Sequence, residues 1–490
     1  MNVTDLFTLL PLLILGGAAI VVMIVVAIHR SHILTLALTL IGLALAFASL
    51  GWIAPEAPRQ VTSLLVIDRY AIFYTGLVIA ATFAVALLCY GYFERHPGNP
   101  EELYILLLLA ALGSAVLVTS SHFISFFLGL EILSVSLYAM NAYIRTWSLP
   151  LEAGIKYLIL AASSAAFLLF GMALVYAELG TMDFAKIREL VTTSPDLNRT
   201  VLLAGTALII TGFGFKLALV PFHLWTPDIY EGAPAPVTAF VATVSKGAMF
   251  ALLLRYFYWS GTHHFGAIFL VFTIIAIASM LAGNILAMLQ TNVKRILAYS
   301  SIAHMGYVLV AFQAGGQLAV QAVTFYLVAY FITIIGAFGV ITMISSGDRD
   351  ADSLEDYRGL FWRRPALTAV FTAMVLSLAG IPVTAGFVGK FYVISAGASS
   401  AIWLLVFVLI VTSVFGLYYY LRILVALYSG LAHEDAHAIG GTAKISSPSL
   451  TPALSISGGV VLAVLTILLV WVGVYPATLL NLIHSTVGLL

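Results

Sequence analysis

Apolar runs of 18 or more residues recur along almost the whole chain, and in lipid such a run satisfies its backbone polar groups as a helix of roughly 20 residues. This feature sets the fold class, an all-α polytopic membrane protein. About fourteen spans are expected, near 8–28, 33–53, 71–92, 103–119, 122–144, 153–178, 201–226, 236–258, 266–289, 293–313, 319–344, 366–398, 400–429 and 452–475. Only 9% of the residues are charged, against roughly 25% in a soluble domain. The longest polar stretches, 179–200, 345–365 and 430–451, are therefore connections rather than domains.

Several function classes are excluded on the same grounds. Net charge is zero and no basic run suggests nucleic acid, so the expected partners are lipid and other membrane proteins. Cys89 is the only cysteine; it reads as a small buried hydrophobe, with no disulfide framework and no cysteine-ligated metal or iron–sulfur site. Gly212-Phe-Gly214 lacks the third glycine and the strand-to-helix setting of a nucleotide-phosphate loop. His433-Glu434-Asp435-Ala436-His437 matches H-E-x-x-H literally, but it lies between Gly430 and Gly440-Gly441 in a connection and reads as a solvated polar run. The acid-rich stretch from Asp348 to Glu355, with Arg358, Arg363 and Arg364, reads as a loop face. Asp5 stands where a secretory signal would carry positive charge, so the first run is expected to be a retained helix. Lysines and arginines in short loops number ten on the side reached after an odd number of crossings and six on the other, which places both termini outside the cytoplasm.

Two spans carry helix-breaking sequence. One runs through Gly212, Gly214, Lys216 and Pro221, the other through Gly380, Pro382, Gly386, Gly389 and Lys390. Proline removes a helix hydrogen bond, and in a membrane the freed backbone groups need a polar or water-lined setting. Interrupted segments at corresponding places in two halves point to a transporter's working site. Glu131 precedes Lys216 by 85 residues and His304 precedes Lys390 by 86; Lys246 follows Lys216 by 30 and Arg422 follows Lys390 by 32. Such spacing fits two repeats of about five helices, which an odd helix number would invert, although helix-loop units of similar length also produce such matches.

Against this apolar background five charges stand out: Glu131, Lys156, Lys216, Lys246 and Lys390. A charge at the bilayer centre costs roughly 2.5 to 3.5 kcal/mol on insertion scales, so each is a candidate functional residue. Glu131 has too much helix on either side to reach an interface; it is protonated or paired, or satisfied by Ser134 or Ser136. Lys246 lies ten positions after Pro236 and nine before Arg255, near mid-depth. Lys216 sits beside the first break, where burial disfavours a fixed ammonium charge and lets a lysine exchange its proton. Lys390 is inside a span if 366–398 is one broken helix and a loop lysine otherwise. Lys156 is only one turn into 153–178, so simple snorkelling stays open for it. His223, two residues past Pro221, and His304, at i+4 from Ser300, could shuttle protons or simply be hydrogen-bonded in the packing.

Residues 212–237, Gly-Phe-Gly-Phe-Lys-Leu-Ala-Leu-Val-Pro-Phe-His-Leu-Trp-Thr-Pro-Asp-Ile-Tyr-Glu-Gly-Ala-Pro-Ala-Pro-Val, resemble the signature of the antiporter-like subunits of respiratory complex I. The likeness continues through 291–307, 357–362, 377–392 and 416–422 and covers nearly the whole chain. It implies about fourteen helices with two inverted five-helix repeats, each with a broken helix. The resulting division is 1–100, an N-terminal three-helix segment; 101–260, the first repeat; 261–430, the second; and 431–490, a loop and the last helix. It further implies a proton relay in which Glu131 and Lys156 form a charge pair, Lys216 is the central carrier, Lys246 and His223 connect, and Lys390 is the second-half carrier. His304 stays a relay candidate on its own chemistry, not through the resemblance. NADH, FMN, iron–sulfur clusters and quinone would belong to partner subunits, and this chain would hold no cofactor. The setting implied is the inner membrane of a bacterial cell, among other complex I membrane subunits. A subunit of a multisubunit sodium/proton antiporter is the alternative, and a non-pumping structural subunit a third.

Overall fold

The computed structural model describes residues 2–96, 98–194, 197–262, 265–430 and 455–487. The H-E-x-x-H stretch at 433–437 and most of the last loop lie outside the described residues. Among those described, 13 helices are long and apolar enough to cross a membrane. In chain order the principal helices begin with α1 (Leu10–Ile28), α2 (His32–Ile53), α3 (Arg69–Phe93), α4 (Glu101–Thr119), α5 (Phe123–Asn141) and α6 (Ser148–Leu179). They continue with α7 (Arg199–Leu217), α8 (Trp225–Gly232), α9 (Ala235–Ser260), α10 (Gly266–Met288), α11 (Val293–Ala314) and α12 (Gly316–Ile344). The last are α13 (Pro365–Ala379), α14 (Ala385–Ser399), α15 (Trp403–Tyr428), α16 (Ile456–Val474) and α17 (Pro476–Val487). A short antiparallel hairpin, Arg59–Val61 with Leu65–Ile67, joins α2 to α3.

Helices that face only other helices mark the centre of the bundle. The apolar stretches of α9 and α12 are wholly buried and that of α11 nearly so, whereas only a third of those of α1, α6 and α16 is covered. Lys246, His304 and the tyrosines of α12 therefore lie on the axis. Cys89 is buried in α3, as its surroundings in sequence suggest.

Close helix crossings depend on small residues, since lipid provides no hydrophobic drive for association. A Cβ on Gly113 of α4 would stand 2.6 Å from the backbone nitrogen of Leu133 on α5, and one on Gly283 of α10 would stand 2.6 Å from that of Ala303 on α11.

Both expected breaks are present. The helix α7 ends at Leu217, the next residue, Ala218, takes a left-handed φ of 60°, and α8 begins only at Trp225. The span expected at 366–398 is two helices, α13 and α14, parted at Gly380 with φ 82°. Two expectations need correction. Asp350, within the supposed loop face, is buried, and its carboxylate accepts from Lys294 Nζ at 2.7 Å and Tyr92 OH at 2.8 Å. Arg255, one of the six basic residues assigned to short loops on the less basic side, is fully buried in α9 and bidentate to Asp68 at 2.9 Å on each oxygen. A guanidinium needs such a partner before it can leave water.

The crossings give a stability test. Gly113→Ala should overpack a backbone contact and lower the thermal midpoint of the purified protein, at a cost of about 1–3 kcal/mol. Gly17→Ala, where a Cβ meets nothing within 4 Å, should leave the midpoint unchanged or raise it.

Candidate functional site

The break after α7 is closed by side chains. Trp225 Nε1 donates to the carbonyl of Phe215 at 2.8 Å, and Ser279 Oγ accepts from the backbone N–H of Val220 at 3.0 Å. Phe222 folds back over Gly214, where a Cβ would stand 2.5 Å from its ring. Lys216 is left one residue before the end of α7, buried. Its Nζ donates to Ser134 Oγ and Tyr157 OH, both at 2.9 Å, and lies 5.3 Å from the centre of the Tyr157 ring.

Ser134 is one turn beyond Glu131 on α5, so the carboxylate and the ammonium share a neighbourhood and act on each other electrostatically. Ser134 does not cap Glu131: its hydroxyl donates to the Leu130 carbonyl at 2.6 Å, and Ser136 donates to the Ile132 carbonyl at 2.8 Å. Glu131 Oε1 is buried with no hydrogen-bond partner.

The expected Glu131–Lys156 pair is not formed. Lys156 bonds Glu152 and Asp228, each at 2.7 Å. Helix register explains why. Gly154 of α6 packs on Ala142 of α5, with 2.5 Å between a Cβ there and that of Ala142, and the rings of Tyr157 and Tyr138 meet at 5.6 Å. In this antiparallel pair Lys156 comes level with about residue 140 of α5, and Glu131 lies nine residues further along, about 13 Å at 1.5 Å per residue. A lysine side chain does not bridge that gap. The helix α6 also begins at Ser148, earlier than expected, and Lys156 is 43% exposed.

Lys246 opens an α-helical stretch directly after a π-helical turn, Val241–Ser245, a feature that recurs at functional sites. Its Nζ donates to Ser301 Oγ at 2.7 Å and lies 5.3 Å from the Tyr230 ring centre. Ser301 also accepts from Tyr330 OH at 2.6 Å. One turn on, His304 is hydrogen-bonded through Nδ1 to Tyr326 OH at 2.7 Å and through Nε2 to Tyr420 OH at 3.1 Å. The charges of Lys246 and Lys390 both act on His304.

Lys390, on α14 just past the second break, donates to the carbonyls of Leu378 and Ala379 and to Ser413 Oγ, all at 2.9 Å. It thus caps the C-terminus of α13, where helix dipole and orphan carbonyls favour a cation. It is buried inside the broken span rather than in a loop. His223 is buried in the first break with Nδ1 unpartnered; among the described residues it bonds to none of the lysines.

A family model described as NADH:quinone oxidoreductase/Mrp antiporter, TM, matches residues 120–416. The chain belongs to this family. It is 52% identical over 497 aligned residues to the NADH-quinone oxidoreductase subunit N of Nitrosospira multiformis, covering 99% of this chain and 96% of that protein. A chain of the respiratory complex I of Thermus thermophilus, solved with bound aureothin, superposes with a TM-score of 0.79 at 30% identity, covering 96% of this chain and 98% of that one. A chain of the Mrp complex of Dietzia shares the fold, with a TM-score of 0.84 at 20% identity and coverage of 99% and 97%.

The NADH:quinone oxidoreductase/Mrp antiporter model thus takes in Glu131 and all four lysines. Sequence reading weighed Ser134 only as a partner of Glu131, not of Lys216, and missed the hydroxyls of Tyr157, Ser301, Tyr326, Tyr420 and Ser413 and the carboxylates Asp228 and Glu231. The available signal was polar residues at helical spacing inside apolar runs, used only for Glu131 with Ser134 and Ser136 and for Ser300 with His304. Asp68→Asn should strand the buried Arg255 guanidinium and destabilise the protein by about 3–5 kcal/mol, measured as a fall in the urea midpoint; an unchanged midpoint would show that the pair contributes little.

Proposed function

We propose that this chain is a proton-translocating membrane subunit of an NADH:quinone oxidoreductase. Protons move from cytoplasm to periplasm along Glu131, Lys216, Lys246, His304 and Lys390, driven by quinone reduction in other subunits. NADH, FMN, iron–sulfur clusters and quinone are assigned to those partners, and both termini to the periplasmic side. The observation that carries the reading is a contrast between two kinds of buried cation. Lys294 and Arg255 have carboxylate partners. Lys216, Lys246 and Lys390 are held only by neutral hydroxyl and carbonyl oxygens, with no ion pair among the described residues. A structural charge in an apolar interior needs a counter-ion; an ammonium without one is poised to give up its proton.

The Coulomb interaction between Glu131 and Lys216 couples their proton occupancies, which replaces the Glu131–Lys156 pairing that the family resemblance implied. The bond from Lys246 to Ser301, and the His304 tyrosines beyond it, carry the path toward Lys390. Moving one proton against 100 mV costs about 2.3 kcal/mol, so the occupancies must be driven by a change of charge in a neighbouring subunit. Lys156 and His223 fall outside this file, Lys156 at a surface ion pair and His223 in the break.

The division into inverted units at 101–260 and 261–430 is part of the same reading. The glycine crossings of α4 on α5 and of α10 on α11, and the breaks after Leu217 and Ala379, support it. The sodium/proton antiporter alternative draws on the shared Mrp fold and on a family description that covers both kinds of protein. Co-purification with flavin and iron–sulfur subunits supports the oxidoreductase, and assembly with small membrane subunits alone the antiporter.

Lys216→Met should leave the assembled enzyme able to reduce quinone while lowering the protons moved per electron in proteoliposomes. Unchanged stoichiometry in fully assembled Lys216→Met enzyme would overturn the role.

A further inference from the structure

Lys156 belongs to a charge network that the relay does not use. Asp228 gives Oδ2 to Lys156 at 2.7 Å and Oδ1 to Arg295 at 3.0 Å, and Arg295 also reaches Glu231 at 2.6 Å. The network ties α6, α8 and α11 together at the segment that follows the first break. With Glu152, which also bonds Lys156 at 2.7 Å, its members are a quarter to nearly three fifths exposed, so each pair by itself contributes little to stability.

Its placement is more informative. Lys156 is adjacent to Tyr157 on α6, and Asp228 is three residues after Trp225 on α8, on the same face. The Trp225 ring lies 5.0 Å from the Tyr157 ring, and its Nε1 donates to the Phe215 carbonyl, one residue before Lys216. Tyr157 OH in turn accepts from Lys216 Nζ. A pull on the Lys156–Asp228 pair therefore reaches both the acceptor of Lys216 and the backbone that carries it.

We propose that Asp228 is a positioning residue for Lys216: by clamping Lys156 and Arg295 it fixes α8 against α6 and α11 and holds Tyr157 and Trp225 around the lysine. The inference rests on the reading of Lys216 as a proton carrier. The clamp works through charge, because an asparagine of the same shape loses both ion pairs whereas a glutamate keeps the carboxylate.

The test uses the assembled complex in proteoliposomes, with protons per electron and quinone-reduction rate recorded together. Lys156→Met should lower protons per electron and Asp228→Asn, which loses the Arg295 pair as well, at least as far, with the double variant no lower than Asp228→Asn. Asp228→Glu should restore most of the loss. Trp225→Phe, which removes the bond to Phe215 and leaves the charges, should reproduce the Asp228→Asn loss and serves even if that variant assembles poorly. Wild-type stoichiometry in Asp228→Asn or Trp225→Phe, or losses that multiply in the double variant, would overturn the clamp while a Lys216→Met loss left the relay standing. Wild-type stoichiometry in Lys216→Met would remove both.

Discussion

An ammonium group withdrawn from water keeps its proton only as well as the oxygens around it allow, and three buried lysines here have no carboxylate bonded to them among the described residues. Each recruits acceptors from helices other than its own: Lys216 from α5 and α6, Lys246 from α11, Lys390 from α13 and α15. The buried hydroxyls along the axis follow from that need. So does the contrast with Lys294 and Arg255, whose carboxylate partners make them fixed parts of the packing.

The two breaks solve a related problem in different ways. Interrupting a helix in the membrane frees carbonyls that lipid cannot satisfy. At the first break an indole N–H takes one of them, which leaves Lys216 free to face Ser134 and Tyr157. At the second the lysine itself takes two. Lys390 is thereby tied to the helix terminus, and a proton lost there would leave two N–H donors for its three acceptors. Structure and proton affinity are coupled more tightly at Lys390 than at Lys216.

Much of this was legible in the chain. Apolar run length located the helices, and Gly-Pro clusters located both breaks, because each signal is local. The depth of Glu131, Lys216 and Lys246 followed from counting residues. The partners did not, because register between helices is set by side-chain contacts such as Gly154 on Ala142, which no single segment reveals. That is why the Glu131–Lys156 pairing failed and why Asp228, in a short helix between two long ones, went unweighed. Asp350 was misread for the same reason: its partner Lys294 is 56 residues away.

The central claim is that Glu131, Lys216, Lys246, His304 and Lys390 form one proton-conducting file. The most direct measurement is a structure of the assembled complex during turnover that resolves water along the axis between α5 and α14. Waters and hydroxyls bridging each successive pair, in at least one state, are the expected result. Apolar side chains filling the gap between Lys216 and Lys246, or between His304 and Lys390, in every state would contradict it.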